Sequence, residues 1–320
     1  MTDKRADEDI FWVKEENDGS DEESESSSDP TAFSLSLTPE DSQSGGYHVR
    51  NRLGQYQRPV VSSFHGGYSW KPAFRVSCCA KAMIHGLMGG TSQKAATLLV
   101  YEFKFITSRS ETRIKAASIS FEFKADPKSK AATTPSVAKV RPCGVLKMEE
   151  TVQNEVSKLG ISMNIGPSVP VVDVSLAPSK ERVVTQDVKY YTIVNGDNPP
   201  DEDFGDRFLA SFTLQENKAQ ESGIPSEFTV AILLERDSDA DFMMVPRIEA
   251  TPDLATRVVS LVSSRTPDEP VYFRVDEEPF NQLDREVKIE RDGLGNTDLE
   301  DLWDCTTYNK YGRAVKMSTK

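Results

Sequence analysis

Between Phe204 and Glu249 the sequence keeps a two-residue apolar period through three successive runs, and this period confines that part of the chain to β structure. Phe208, Ala210, Phe212 and Leu214 fall two apart, so one face of a pleated strand collects them. Phe228, Val230, Ile232 and Leu234 repeat the pattern with apolar residues between them, which predicts a central strand ending at the charged Glu235-Arg236-Asp237. Gly223 and Pro225 between the two runs break a ladder and predict a hairpin loop. Phe242 to Glu249 predicts a third strand of the same sheet, with Pro246 at an edge or a bulge.

The period recurs elsewhere. Leu99, Tyr101, Phe103 and Phe105 share one face, and Ile119, Phe121 and Phe123 share another, with Glu102, Lys104, Glu122 and Lys124 between them. This reads as a hairpin with one wet face. Pro59 to Phe64 and Ala73 to Met83 are expected to be the first strands, and Ile84 to Lys94, with its glycines, a turn or exposed apolar loop. Residues 126–142 read as a long basic loop that separates two halves, Val145 to Met148 as a short strand, and Glu149 to Leu159 as a helical turn. Ile161 to Ile165, Val169 to Leu176, Val183 to Val194 and Val271 to Val275 complete the strands, and Leu254 to Val262 fits either a strand or a helix. Short strands at this spacing predict an all-β fold, an antiparallel β-sandwich of immunoglobulin-like or similar two-sheet architecture. Near the end, Leu299, Leu302 and Trp303 sit at helical spacing in a short amphipathic helix that either folds back, the favoured reading, or docks on a partner.

Charge divides the chain further. The formal net charge is −13. Residues 1–46 hold 14 acids and 3 bases (−11), whereas residues 47–150 hold 6 and 17 (+11). Residues 151–275 and 276–320 are acidic again, at −9 and −4. The first segment, rich in Ser, Asp and Glu, cannot bury enough apolar surface to offset its ordering entropy and is expected to be a disordered tail. The folded domain is expected over 47–275, followed by an acidic, partly ordered extension over 276–320. Ile10, Phe11, Trp12 and Val13 form an apolar island that suits partner docking. Ser24 and Ser26 sit among carboxylates, as acidophilic kinases require, and Lys14 lies in an apolar-Lys-x-Glu pattern of the kind that accepts a ubiquitin-like modifier.

After the tail, Arg50, Arg52, Arg58, Lys71 and Arg75 alternate with aromatic residues that include Tyr68 and Trp70. Cations that meet phosphates beside rings that stack on bases are what a polyanion surface needs, although an ordinary half-buried strand has the same composition. The favoured reading is the ordinary strand. Catalytic and metal chemistry has little to stand on. His48, His65 and His85 show no HxH or HExxH spacing, no GxSxG elbow is present, and no CxxC pairs the four cysteines. Asp237, Asp239 and Asp241 open a calcium-loop pattern, which fails because Phe242 replaces the glycine and Ile248 the final glutamate. No catalytic residue, cofactor or metal is therefore expected. The absence of a run of roughly 18 apolar residues predicts no membrane span, and the acidic start with unpaired cysteines predicts a cytoplasmic or nuclear protein rather than a secreted one.

Arg113 to Phe123, the loop from Gln215 to Pro225, and Asp268-Glu269-Pro270-Val271 resemble a group of uncharacterised β-rich proteins of filamentous fungi, over most of residues 95–275. The resemblance implies one intact β-rich unit and carries no site residues. The expectation from sequence is a non-enzymatic interaction or scaffold protein of unknown protein partner, whose acidic tail masks a basic surface. Its alternatives are polyanion binding through residues 47–75 and an enzyme of unassigned type.

Overall fold

The computed structural model describes residues 49–68, 71–90, 92–108, 112–129, 132–159, 182–253, 267–284, 287–308 and 314–316, all within the unit Gly45–Lys320. The chain forms β1 (Val60–Tyr68), β2 (Lys71–Gly89), β3 (Ser92–Thr107), β4 (Ile114–Ala125), β5 (Ser136–Arg141), β6 (Gly144–Leu159) and β7 (Arg182–Asp197). There follow β8 (Leu209–Gln215), β9 (Glu227–Arg236), β10 (Phe242–Pro252), β11 (Val271–Phe273), β12 (Phe280–Asn281), β13 (Asp304–Tyr308) and β14 (Ala314–Lys316). Two 3₁₀ turns, η1 (Arg291–Asn296) and η2 (Leu299–Leu302), lie between β12 and β13.

The strands form two antiparallel sheets. The first has the order β1-β2-β3-β9-β13-β14, with β12 beside β2 and β5 beside β9; the second has the order β11-β10-β4-β8-β7-β6. The fold is thus the expected all-β, two-sheet sandwich. Its connections differ from expectation. The chain changes sheets between β3 and β4, between β8 and β9, and between β9 and β10, so neither the expected hairpins nor the expected three-stranded run exists. Side-chain period fixes which face of a strand is apolar, and in a sandwich the next strand can bury that face from the opposite sheet.

Aromatic rings fill the space between the sheets. Tyr101 of β3 lies 5.1 Å from Phe121 of β4, Phe103 lies 6.0 Å from Phe228 of β9, and Phe212 of β8 lies 6.1 Å from Phe228. At one end Phe242 and Phe273 stack at 4.7 Å. All seven side chains are fully buried. Burying each contributes about 1.5–3 kcal/mol of apolar transfer.

The central strands are apolar on their outer face as well, because the C-terminal segment covers them. Ile84, Leu98, Val100 and Leu233 pack under Leu294, Leu299 and Leu302. The described residues between 276 and 316 therefore belong to the folded unit: β13 pairs with β9, and η1 and η2 lie across the first sheet. The expected amphipathic helix is replaced by two short 3₁₀ turns, the second capped where the Asp298 carboxylate accepts from the Glu300 amide at 2.9 Å. Gly86 permits the close approach of η1, since a Cβ there would stand 2.0 Å from the Arg291 carbonyl oxygen.

Three further local expectations change. Residues 126–142 contain β5, which pairs with β9, so they are not only a loop. Glu149 to Leu159 is part of β6 and not a helical turn, because the ladder to β7 that resumes at Thr151 outweighs the 4-and-3 spacing of Val152, Val156 and Leu159. Ile84 to Gly89 continues β2, with Ile84 and His85 buried.

Candidate functional site

Two features stand apart from the packed core, a cleft at one end of the sandwich and the β6–β7 hairpin at the edge of the second sheet. The cleft, about 320 Å³, is lined by His85, Gly86, Arg236, Asp239, Val275, Asp276 and Arg291. His85 of β2 faces Thr97 of β3 in register, and its Nδ1 lies 2.9 Å from the Thr97 Oγ1. Its ring meets Phe242 and Phe273 edge-on, at 6.2 and 6.4 Å. Burial, with Arg236 and Arg291 nearby, pushes the His85 pKa down to about 3, so the imidazole is neutral. Arg236 is 3% exposed and donates through Nη1 to the Ser238 carbonyl at 3.1 Å and through Nη2 to the Ala96 carbonyl at 3.4 Å. Arg291 Nε donates to the His85 carbonyl at 2.9 Å.

A histidine beside two guanidinium groups lacks the carboxylate that would orient it as a base. The acids that line the cleft, Asp239 and Asp276, are 82% and 80% exposed in their side chains. No nucleophile, base and orienting group converge in this cleft, and the arginines are engaged in holding backbone. The cleft is a seam where β2, β9 and η1 meet.

The hairpin is built differently. β6 and β7 pair from Gly144↔Gly196 to Leu159↔Arg182, yet β7 pairs with β8 only from Ile193 to Asp197. No strand lies beyond β6 among the described residues. The base of the hairpin is therefore part of the second sheet, and its outer portion runs on as a two-stranded ribbon.

A bulge marks the neck where ribbon leaves sheet. The register shifts between Met148 and Thr151, and Glu149 takes a φ of 52°, in the left-handed region. Asn217, fully buried in the loop after β8, reaches into this bulge. Its Nδ2 donates to the Glu149 carbonyl at 2.7 Å and to the Thr151 Oγ1 at 3.0 Å, while its Oδ1 accepts from the Ala219 amide at 3.0 Å. Gln220 Nε2 adds a second donor to Thr151 Oγ1 at 2.8 Å. One asparagine thus ties the exit point of the ribbon to the sandwich. Around the neck, Lys189 Nζ lies 2.8 Å from a Glu150 oxygen, and this ion pair holds the lysine pKa above its ordinary value. Val145 and Val152 of β6 are 62% and 53% exposed, unusual for valines in a regular strand.

The residues singled out from sequence are dispersed. Arg50, Arg52 and Arg75 are exposed. Arg58 is a correction: it is 2% exposed and donates to the carbonyls of Val60, Val61 and Glu269 and to Asn51 Oδ1, so it is unavailable to a polyanion. Its role is to hold residues 49–61 against the Asp268-Glu269 turn, where Asp268 accepts from the Val49 amide and the Ser62 hydroxyl. The side chains of Tyr68 and Lys71, and the whole of Trp70, lie outside the described residues, as do Ile10, Phe11, Trp12, Val13, Lys14, Ser24 and Ser26. The strands expected at Ile161–Ile165 and Val169–Leu176 and the element expected at Leu254–Val262 lie outside them too. Leu299 and Leu302 are 4% exposed against the first sheet, so the fold-back reading holds for them and partner docking does not. Trp303 packs at the margin of the inter-sheet core and donates through Nε1 to Glu300 at 2.7 Å. Among the described residues no helix is long and apolar enough to cross a membrane.

No family model and no curated protein matches the sequence. Among solved structures, the chain is similar to the Clostridium perfringens NetB toxin in its membrane-inserted form, at 12% identity and a TM-score of 0.25, covering 59% of this chain and 82% of that one. A likeness at this score establishes neither fold nor function.

Proposed function

We propose that the protein works without catalysis, by self-assembly, with the β6–β7 ribbons of several copies pairing edge to edge. The observation that carries this reading is the outer ribbon itself, Gln153–Leu159 against Arg182–Lys189, which among the described residues has one ladder and no further strand on either edge. An isolated two-stranded ribbon is marginal in water, and long regular edges are templates for further strands. A second copy supplies an edge of matching length and composition. Repetition of a head-to-tail contact, β6 on the β7 of the next copy, closes into a ring when the rotation permits and leaves no edge exposed.

Sedimentation velocity and glutaraldehyde cross-linking of the full chain, in buffer and in detergent micelles, test this. The expected result is one closed oligomer of fixed stoichiometry in at least one of the two. Asn154→Pro with Gln186→Pro removes ladder donors from both strands and is expected to abolish that oligomer while leaving the melting midpoint of the sandwich nearly unchanged. A chain that stays monomeric in both conditions overturns the reading, as does an oligomer indifferent to the prolines.

A further inference from the structure

At one end of the sandwich the inward-facing positions of the first sheet turn from apolar to polar. Across β2, β3 and β9 the row Met83, Leu99 and Ile232 is apolar and fully buried. The next row on that face is His85, Thr97 and Leu234, and Arg236 follows Leu234 two residues on. His85 is 2% exposed and Arg236 is buried as deeply, yet both line the cleft of about 320 Å³.

Their contacts leave particular atoms over. His85 Nδ1 is engaged with the Thr97 hydroxyl, and the two terminal nitrogens of Arg236 donate to the Ser238 and Ala96 carbonyls. His85 Nε2 and Arg236 Nε are buried and have no hydrogen-bond partner among the described residues. Buried polar atoms are nearly always satisfied, and two such atoms in the walls of one cleft can share a single acceptor. Charge points the same way. The buried Arg236 guanidinium has Asp239 as its ion-pair partner, 3.6 Å away and mostly in solvent. Burial, with Arg236 and Arg291 nearby, keeps His85 neutral, and an imidazole whose Nδ1 accepts from Thr97 carries its proton on Nε2.

We infer that the cleft binds a small carboxylate, which accepts from Arg236 Nε and His85 Nε2, with the exposed Arg291 guanidinium at the entrance. Charge-assisted donors from guanidinium groups suit a carboxylate oxygen. Asp239 and Asp276, both exposed, limit the charge that can enter: with Arg236 and Arg291 they bring the ionised lining to zero, which suits a monoanion and disfavours a dianion such as phosphate. The volume is that of a small-molecule site, with room beyond the carboxylate for further atoms of the ligand. None of these residues belongs to β6 or β7, so the inference is independent of self-assembly.

The test is a titration of the isotope-labelled full chain with sodium acetate, read by NMR at the arginine Nε–H and histidine Nε2–H signals. Sodium chloride and sodium phosphate are run as parallel series at matched ionic strength. Acetate is expected to shift the Arg236 and His85 signals together and saturably, and to bind at least about tenfold more tightly than phosphate. Arg291→Gln is expected to weaken acetate about tenfold, whereas Arg75→Gln, which removes the same charge from an exposed position near the other end of β2, changes it by less than about twofold. Absence of a saturable shift overturns the inference and leaves the two donors to water. A shift that chloride reproduces overturns it as general screening, and tighter binding of phosphate overturns the carboxylate assignment. Equal losses in the two variants overturn the placement of the anion in this cleft.

Discussion

The β2–β3 and β6–β7 hairpins are built from strands of comparable length, 19 and 16 residues against 16 and 16, and they meet opposite environments. The first has β1 and β9 on its flanks, the second sheet on one face and the C-terminal segment on the other. The second has β8 along only the last five residues of its return strand and, among the described residues, no strand beyond β6. The sequences record the difference. Leu98 to Phe103 is apolar on both faces apart from Glu102, while Gln153 to Ser157 is mostly polar. A strand buried on both faces gains its stability from packing, whereas the ribbon depends on its own ladder until other strands join it. Strand length in this chain does not measure stability.

Substitutions can sharpen or break that contrast. The largest effect is expected at Phe103, where Phe103→Ala removes a fully buried ring that contacts Phe121 and Phe228 and lowers unfolding free energy by about 3–5 kcal/mol in urea titrations. Gly86→Ala drives a Cβ into the Arg291 carbonyl and costs about 3 kcal/mol, with increased proteolysis near Arg291 as the local signature. At the neck, Asn217→Ala leaves the Glu149 carbonyl and the Thr151 hydroxyl short of a donor, a loss of about 2 kcal/mol that appears as faster amide exchange around Thr151.

His85 gives a pH-dependent effect that is absent at neutral pH and grows as the solution is acidified. Its folded pKa of about 3 lies below the unfolded value of 6.5, so its contribution is complete above pH 6.5. As pH falls from there toward 3 the unfolded chain takes up the proton first, and stability declines by up to about 1.4 kcal/mol per pH unit. His85→Gln is expected to flatten this component, read as the difference between wild-type and variant unfolding curves across that window. The smallest effect is expected on the ribbon, where Val152→Ala changes monomer stability by less than about 0.5 kcal/mol. A loss at Val152 comparable with that at Phe103 would erase the contrast between the hairpins.

The faces of the strands were legible in the sequence and their partners were not. Phe208 to Leu214 and Phe228 to Leu234 announce which residues are buried, and their burial follows the two-residue period. Nothing in that period says that β8 and β9 belong to different sheets, because both arrangements bury the same phenylalanines. The both-face apolarity of β9 predicts the central position it has, between β3 and the strands β5 and β13, but not that Leu294, Leu299 and Leu302, about 60 residues downstream, cover its outer face. Arg58 looked like the other arginines of its segment because the carbonyls it meets, above all that of Glu269, are remote in sequence.

The central claim is that the outer ribbon is a strand pair awaiting partner strands. Amide hydrogen exchange of the full chain, as the monomer and as the cross-linkable oligomer, tests it at Gln153–Leu159 and Arg182–Lys189. The account predicts rapid exchange of the outward-facing amides of these strands in the monomer, slow exchange at Leu98–Phe103 throughout, and strong protection of the ribbon in the assembled form. Ribbon amides as slow as those of β3 in the monomer, or still fast in the assembly, would contradict it.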